Sequence, residues 1–126
     1  MATFISLASF TDQGIKNVQD TVKRADAVRA AGDKFGVKIK DIYWTLGNHD
    51  MVVIFEAPDD AAFTAFGLSI GKAGNVRTQT MRAFNRDEMG AELAKIGVHL
   101  EQWAPAHPVQ PGDAPEAIMA AYKADI

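Results

Sequence analysis

The residues of this chain best suited to chemistry are an adjacent histidine and aspartate, His49-Asp50, a short way after a tryptophan, Trp44. An imidazole titrates near neutrality, so beside a carboxylate and an aromatic ring it can act as a general base in a small apolar pocket. The competing reading is that His49 and Asp50 only satisfy backbone groups of a turn while Trp44 belongs to the core. Further along, Arg77 and Gln79 share one side of a predicted strand, and Thr78, Thr80 and Arg82 share the other. An arginine on a buried strand needs either a structural carboxylate, here Asp50 or Glu56, or an anionic ligand. His49 and Asp50 are thus the candidate catalytic pair, and Tyr43, Trp44, Arg77, Gln79 and Arg82 the candidate ligand-binding set.

Several chemistries are set aside by residue type. The chain has no cysteine, which removes disulfides, thiolate zinc sites and cysteine nucleophiles. Ser6, Ser9 and Ser69 lack the glycine-flanked elbow that exposes an activated hydroxyl. His49, His99 and His107 stand at no ligand spacing, so neither a metal nor a cofactor is expected. Gly67-x-x-x-Gly71 reads as small-residue packing in a helix, not as a phosphate loop. The formal net charge is −3, and the excess acid lies after Val98 in Glu101, Asp113, Glu116 and Asp125 against Lys123. A balanced body offers no basic face for nucleic acid. Nothing resembles a signal peptide or a bilayer-spanning run, so a cytoplasmic location is expected by elimination, with no membrane partner.

The elements that must position these residues follow from periodicity. With 126 residues, 48% of them hydrophobic, the chain can bury one core. Thr3–Phe10 alternates as a strand. Thr11-Asp12 offers an N-cap to a helix striped by Ile15, Val18, Val22, Ala25, Val28 and Phe35, and Gly36 closes it. Val37–Leu46 and Met51–Ala57 form a hairpin across Gly47-Asn48, with Trp44 opposite Met51 and Tyr43 opposite Val52. One hairpin face then holds Ile42, Trp44, Leu46, His49, Met51, Val53 and Phe55. The other holds Ile39, Tyr43, Thr45, Asp50, Val52, Ile54 and Glu56.

Pro58-Asp59-Asp60 starts a second helix with Phe63, Phe66 and Ile70 inward, ended by Gly71 and Gly74. Val76–Phe84 is a fourth strand, and Asn85-Arg86-Asp87-Glu88 has the form of a capping box before a short helix. Residues 1–97 make one domain in this reading. Residues 98–126 make a proline-containing arm, with a short helix over Pro115–Lys123, docked on the body or on a neighbouring subunit.

The order β-α-β-β-α-β is that of an α+β, ferredoxin-like fold with an antiparallel four-stranded sheet and both helices on one face. The first and third strands are expected side by side and parallel, which would gather Thr3, Trp44, His49, Asp50 and Arg82 at one edge. The face carrying Ile39, Tyr43, Val52 and Ile54 is too apolar to be left wet, so either a second copy of the chain or the C-terminal arm should cover it.

Five segments carry a family resemblance: Ile5-Ser6-Leu7 with Thr11-Asp12-Gln13-Gly14-Ile15, Lys23-Arg24-Ala25-Asp26, Tyr43 to Asp50, Glu56 to Asp60, and Gly74 to Phe84. Together they resemble the GYD-domain family over about residues 3 to 90. The resemblance implies a dimeric α+β barrel in which two sheets face one another, and it implies little about activity. The motif tyrosine is replaced, since Gly-x-Tyr-Asp stands here as Gly47-Asn48-His49-Asp50. Three functions are open: a small-molecule binding homo-oligomer with a pocket between sheet and helices, a cofactor-independent enzyme of monooxygenase or isomerase type using His49, and a partner-binding protein acting through the arm.

Overall fold

A computed structural model describes residues 1–99 and 114–116. The chain divides into two compact units, Met1–Phe84 and Asn85–Ile126. The first contains β1 (Ala2–Phe10), α1 (Asp12–Lys16), α2 (Thr21–Gly32), β2 (Lys38–Trp44), β3 (Met51–Ala57), α3 (Asp60–Ala73) and β4 (Val76–Ala83). Short 3₁₀ turns, Val18–Asp20 and Asp33–Phe35, precede and follow α2, so the single long helix expected here is broken. In the second unit α4 (Arg86–Ala94) starts from the expected capping box. The Asn85 side chain accepts from Glu88 N at 2.8 Å, and Asn85 N donates back to Glu88 Oε1 at 3.0 Å. The Pro115–Lys123 helix and the proline-containing arm fall almost wholly outside the described residues.

The strands form one sheet in the order β2-β3-β1-β4, and every neighbouring pair is antiparallel. The α+β, ferredoxin-like reading therefore holds, but the parallel pairing of first and third strands does not. The α1–α2 crossover brings β2 back parallel to β1, and the hairpin then reverses the chain, so β3 enters between them antiparallel to both. Ala8 is consequently opposite Met51, and Thr3 is opposite Glu56. The expected cluster is split: Trp44, His49 and Asp50 lie towards the end of β1, while Thr3 and Arg82 lie at its start.

Local signals set the boundaries. Thr11 caps α1 by accepting from Gly14 N at 3.1 Å, and Asp59 caps α3 by accepting from Ala62 N at 2.8 Å. Gly36 and Gly74 end their segments at φ 70° and 86°, where a side chain would be strained. In the hairpin only Gly47 takes a positive φ, at 134°. Trp44 stands opposite Met51 as expected, but the ladder stops there, short of the expected Leu46–His49 pair, with one more bond from Thr45 N to Asp50 O at 2.8 Å.

Phe4, Val53, Phe55, Phe63 and Phe66 form the centre of the core beneath α2 and α3. Phe4 and Phe63 stack with centroids 4.4 Å apart, and Phe55 meets Phe63 and Phe66 edge-on at 5.2 and 5.6 Å. Such pairs add about 1 kcal/mol each to the burial of their area. Ile39 joins this core instead of the opposite face, because the register shifts at Lys40 and sets Ile39 opposite Phe55 but Asp41 opposite Ile54. The Ile39 carbonyl at this bulge accepts from Arg29 Nη1 at 3.2 Å. Conversely, Ile15, Val18 and Val22, expected to face inward, are exposed. The break at the 3₁₀ turn rotates them off the stripe that Val28 and Phe35 continue.

Candidate functional site

The half of the sheet away from the aromatic cluster is built from small residues. Ser6 and Ala8 on β1 face the helices, and Thr78 and Thr80 lie opposite Ala8 and Ser6 on β4. Above them α2 presents Ala25, and α3 presents Gly67 and Ala73. Where larger side chains would have met, a partly enclosed cavity of about 110 Å³ remains, also walled by Val28, Ile42, Met51 and Ile70. Its lining is almost entirely carbon.

Most polar groups of the lining have partners within the protein, and Thr78 stands at an exposed position. Ser6 Oγ and Thr80 Oγ1 share a hydrogen bond of 2.8 Å. Thr21 Oγ1 accepts from Trp44 Nε1 at 2.9 Å, so the tryptophan holds the start of α2 over one end of the cavity. Arg24 lies with its guanidinium 5.9 Å from the Phe10 ring centroid, and it donates to Asn17 O at 2.8 Å and Gly14 O at 3.2 Å. Asn75 accepts from Thr11 N through its carbonyl and from Gln13 Nε2 through its side chain.

None of the candidate catalytic or ligand-binding residues lines this cavity, although Thr78 and Thr80, read as strand neighbours of Arg82, do. Asp50 works on the backbone: its Oδ2 accepts from Phe10 N at 2.8 Å, and its own N–H donates to Ala8 O at 2.8 Å. It therefore ties the start of β3 to the end of β1. His49 accepts through its carbonyl from Thr45 Oγ1 at 2.6 Å, and its Nδ1 is buried without a hydrogen-bond partner. Tyr43 stands on the open face of the sheet, 57% exposed. Arg77 and Gln79 lie on that same face, opposite Ser9 and Leu7.

Arg82 is on the helix-side face of β4. It donates to Thr3 O at 3.1 Å and to Ala83 O, with its guanidinium 4.5 Å from the Phe84 ring centroid. The carboxylate partners expected for the strand arginines are otherwise occupied: Glu56 pairs with Lys40 at 3.6 Å, and Asp50 holds Phe10. A pocket between sheet and helices is among the expectations from the sequence, but these walls are not. Their signal lay in Ser6 and Ala8, small residues at the two inward positions of β1 between Phe4 and Phe10.

The open face carries Ile5, Leu7, Val52 and Ile54 at its centre, with Tyr43 and Met81 at its flanks. Among the described residues no three acidic or histidine side chains converge to hold a metal ion. No helix among them is long and apolar enough to cross a membrane.

Comparison with known proteins gives matches of two kinds. The chain is 32% identical over 94 residues to the glutamine synthetase and cystathionine beta-lyase binding protein of Thermus thermophilus, covering 74% of this chain and 99% of that protein. It is also 42% identical over 59 residues to acireductone dioxygenase of Xanthomonas campestris pv. campestris (strain B100), covering 47% of this chain but only 31% of that enzyme. The equivalent protein of Xanthomonas axonopodis pv. citri is 46% identical over 52 residues, 28% of its length. The chain thus spans less than a third of these dioxygenases. No solved structure matches significantly. The GYD domain matches residues 4–103, past the point where the motifs read from the sequence end, and with the near-complete coverage of the Thermus relative this places the chain in the GYD domain family.

Proposed function

We propose that this protein is a small binding domain that holds a small molecule in the cavity between sheet and helices, and that it works as a homo-oligomer. The observation that carries this reading is the cavity of about 110 Å³ left by small side chains on four elements of an otherwise packed core. Unfilled apolar volume costs about 24 cal/mol per Å³, so leaving it open costs on the order of 2–3 kcal/mol. Ligand occupancy offsets that cost. His49 as general base draws no support from the cavity, whose walls do not include it.

The open face supports self-association. Ile5, Leu7, Val52 and Ile54 form a continuous apolar strip, and a second copy stacked sheet to sheet covers it with the same residues. Native mass spectrometry of the protein as purified tests both parts. A dimeric mass retaining a discrete small-molecule mass is the expected result. A bare monomer after gentle desolvation would sink the assembly and remove the main support for a resident ligand.

A second reading is favoured by one observation: the relative of which this chain covers 99% is named as a binding protein for two enzymes. Here the chain docks on such an enzyme, and the same open face is its contact surface. Co-elution with purified glutamine synthetase or cystathionine β-lyase on a sizing column tests this reading. Separate elution of both enzymes at micromolar concentration would rule it out.

A further inference from the structure

We infer that the molecule the cavity takes is a small, uncharged, largely hydrocarbon ring compound, not a polar metabolite or an anion. The inference rests on the small-molecule reading above and gives it a ligand class.

The first argument is chemical. Three of the four hydroxyls in the wall have a partner within the protein, Ser6 with Thr80 and Thr21 with Trp44, and the fourth, Thr78, stands at an exposed position. The remaining surface is carbon from Ala8, Val28, Ile42, Met51, Val53 and Ile70. A ligand carrying an amide, hydroxyl or carboxylate into this space gives up its water for walls that are almost entirely carbon. That exchange costs about 1–3 kcal/mol for each neutral polar group and more for a charge.

The second argument concerns the one charge nearby. Arg24 belongs to the lining, yet its guanidinium is spent outside the cavity, on the carbonyls of Asn17 and Gly14 and over the Phe10 ring. An anion drawn to it would have to displace those contacts. Loss of the Gly14 and Asn17 bonds would also loosen the connection between α1 and α2. The third argument is size. Apolar cavities of roughly 150 Å³ stay dry and accept a single aromatic ring, and the present volume of about 110 Å³, with one open side, suits a ring compound better than a chain.

The test compares matched probes on the intact protein: toluene and indole against benzoate and tryptophan. Binding is followed by the shift in melting temperature and by the methyl NMR signals of Val53, Ile42 and Ile70. Toluene and indole are expected to raise the melting temperature and move those methyls, with affinities at least about tenfold above benzoate and tryptophan. Gly67→Leu adds a side chain where a Cβ meets nothing within 4 Å, and should abolish the toluene response without lowering the melting temperature of the free protein. If that variant does not fold, the methyl shifts in the unaltered protein still locate the probe. Benzoate binding as tightly as toluene would overturn the ligand class and assign the site to Arg24, while the pocket itself would stand. No methyl shift with any of the four probes would overturn the pocket and the ligand class together.

Discussion

Gly14 and Gly67 are both helical glycines, and replacing each by alanine should move stability in opposite directions. A Cβ on Gly14 would stand 2.0 Å from Asn75 O, far inside contact distance, whereas one on Gly67 meets nothing within 4 Å. The Asn75 carbonyl cannot retreat freely, because it accepts from Thr11 N at 3.1 Å and its neighbour Gly74 O accepts from Thr11 Oγ1 at 2.5 Å. Relieving the clash means separating α1 from the α3–β4 turn. Overpacking of this kind costs about 1–3 kcal/mol, and each hydrogen bond lost adds about 1 kcal/mol. Against this, alanine gains at most ~1 kcal/mol over glycine in a helix.

The net expectation is a loss of about 3 kcal/mol for Gly14→Ala, or roughly 10–15 °C in melting temperature for a domain of this size. For Gly67→Ala the expectation is a gain of about 0.5–1 kcal/mol. Urea unfolding followed by far-UV circular dichroism measures both, provided the slope with denaturant is unchanged between variants. If Gly14→Ala lies within ~0.5 kcal/mol of the unaltered protein, or if the two variants shift together, the argument from close approach fails.

Three other outcomes are expected. Asp50→Ala leaves Phe10 N without its acceptor and should cost about 1.5–3 kcal/mol in thermal or urea unfolding, with Asp50→Asn, which keeps an acceptor, costing less. Val52→Lys puts a charge at the centre of the open face and should convert a dimer to monomer in light scattering; an unchanged mass would place the interface elsewhere. Asn85→Ala removes the side-chain acceptor of the capping box, leaving Glu88 N unpaired while the backbone N–H at 85 can still donate to Glu88, and should destabilise α4 by about 1 kcal/mol, seen as faster amide exchange at Glu88 and Met89.

Much of the fold could be read from the chain because its signals are local. The caps at Thr11, Asp59 and Asn85, the glycines that end segments, and the Trp44–Met51 register each depend on a few neighbouring residues. What escaped depends on distant partners. The bulge at Lys40 carries no strong local signal, yet it sends Ile39 to the opposite face from the one strict alternation assigns. The direction of β3 relative to β1 follows from chain reversals, not from composition. The walls of the expected pocket were hidden for the same reason, since they form only where small residues from β1, β4, α2 and α3 meet. His49 and Asp50 drew attention because their types are reactive, but Asp50 spends its carboxylate on the backbone of β1.

The position of β1 in the sheet also governs when this protein can fold. β1 is made before the other strands of its sheet, yet it is an interior strand, and both its partners come much later in the chain. Phe10 N waits for a carboxylate 40 positions on, and Ser6 for a hydroxyl 74 positions on. Until β4 has been synthesised, β1 has an unpaired edge and its apolar residues lack half their cover. Pairings of such long sequence separation close slowly and leave nascent chains open to association. Native structure should therefore form in a single late step after β4 emerges, and chains truncated before Val76 should aggregate instead of accumulating as a folded half.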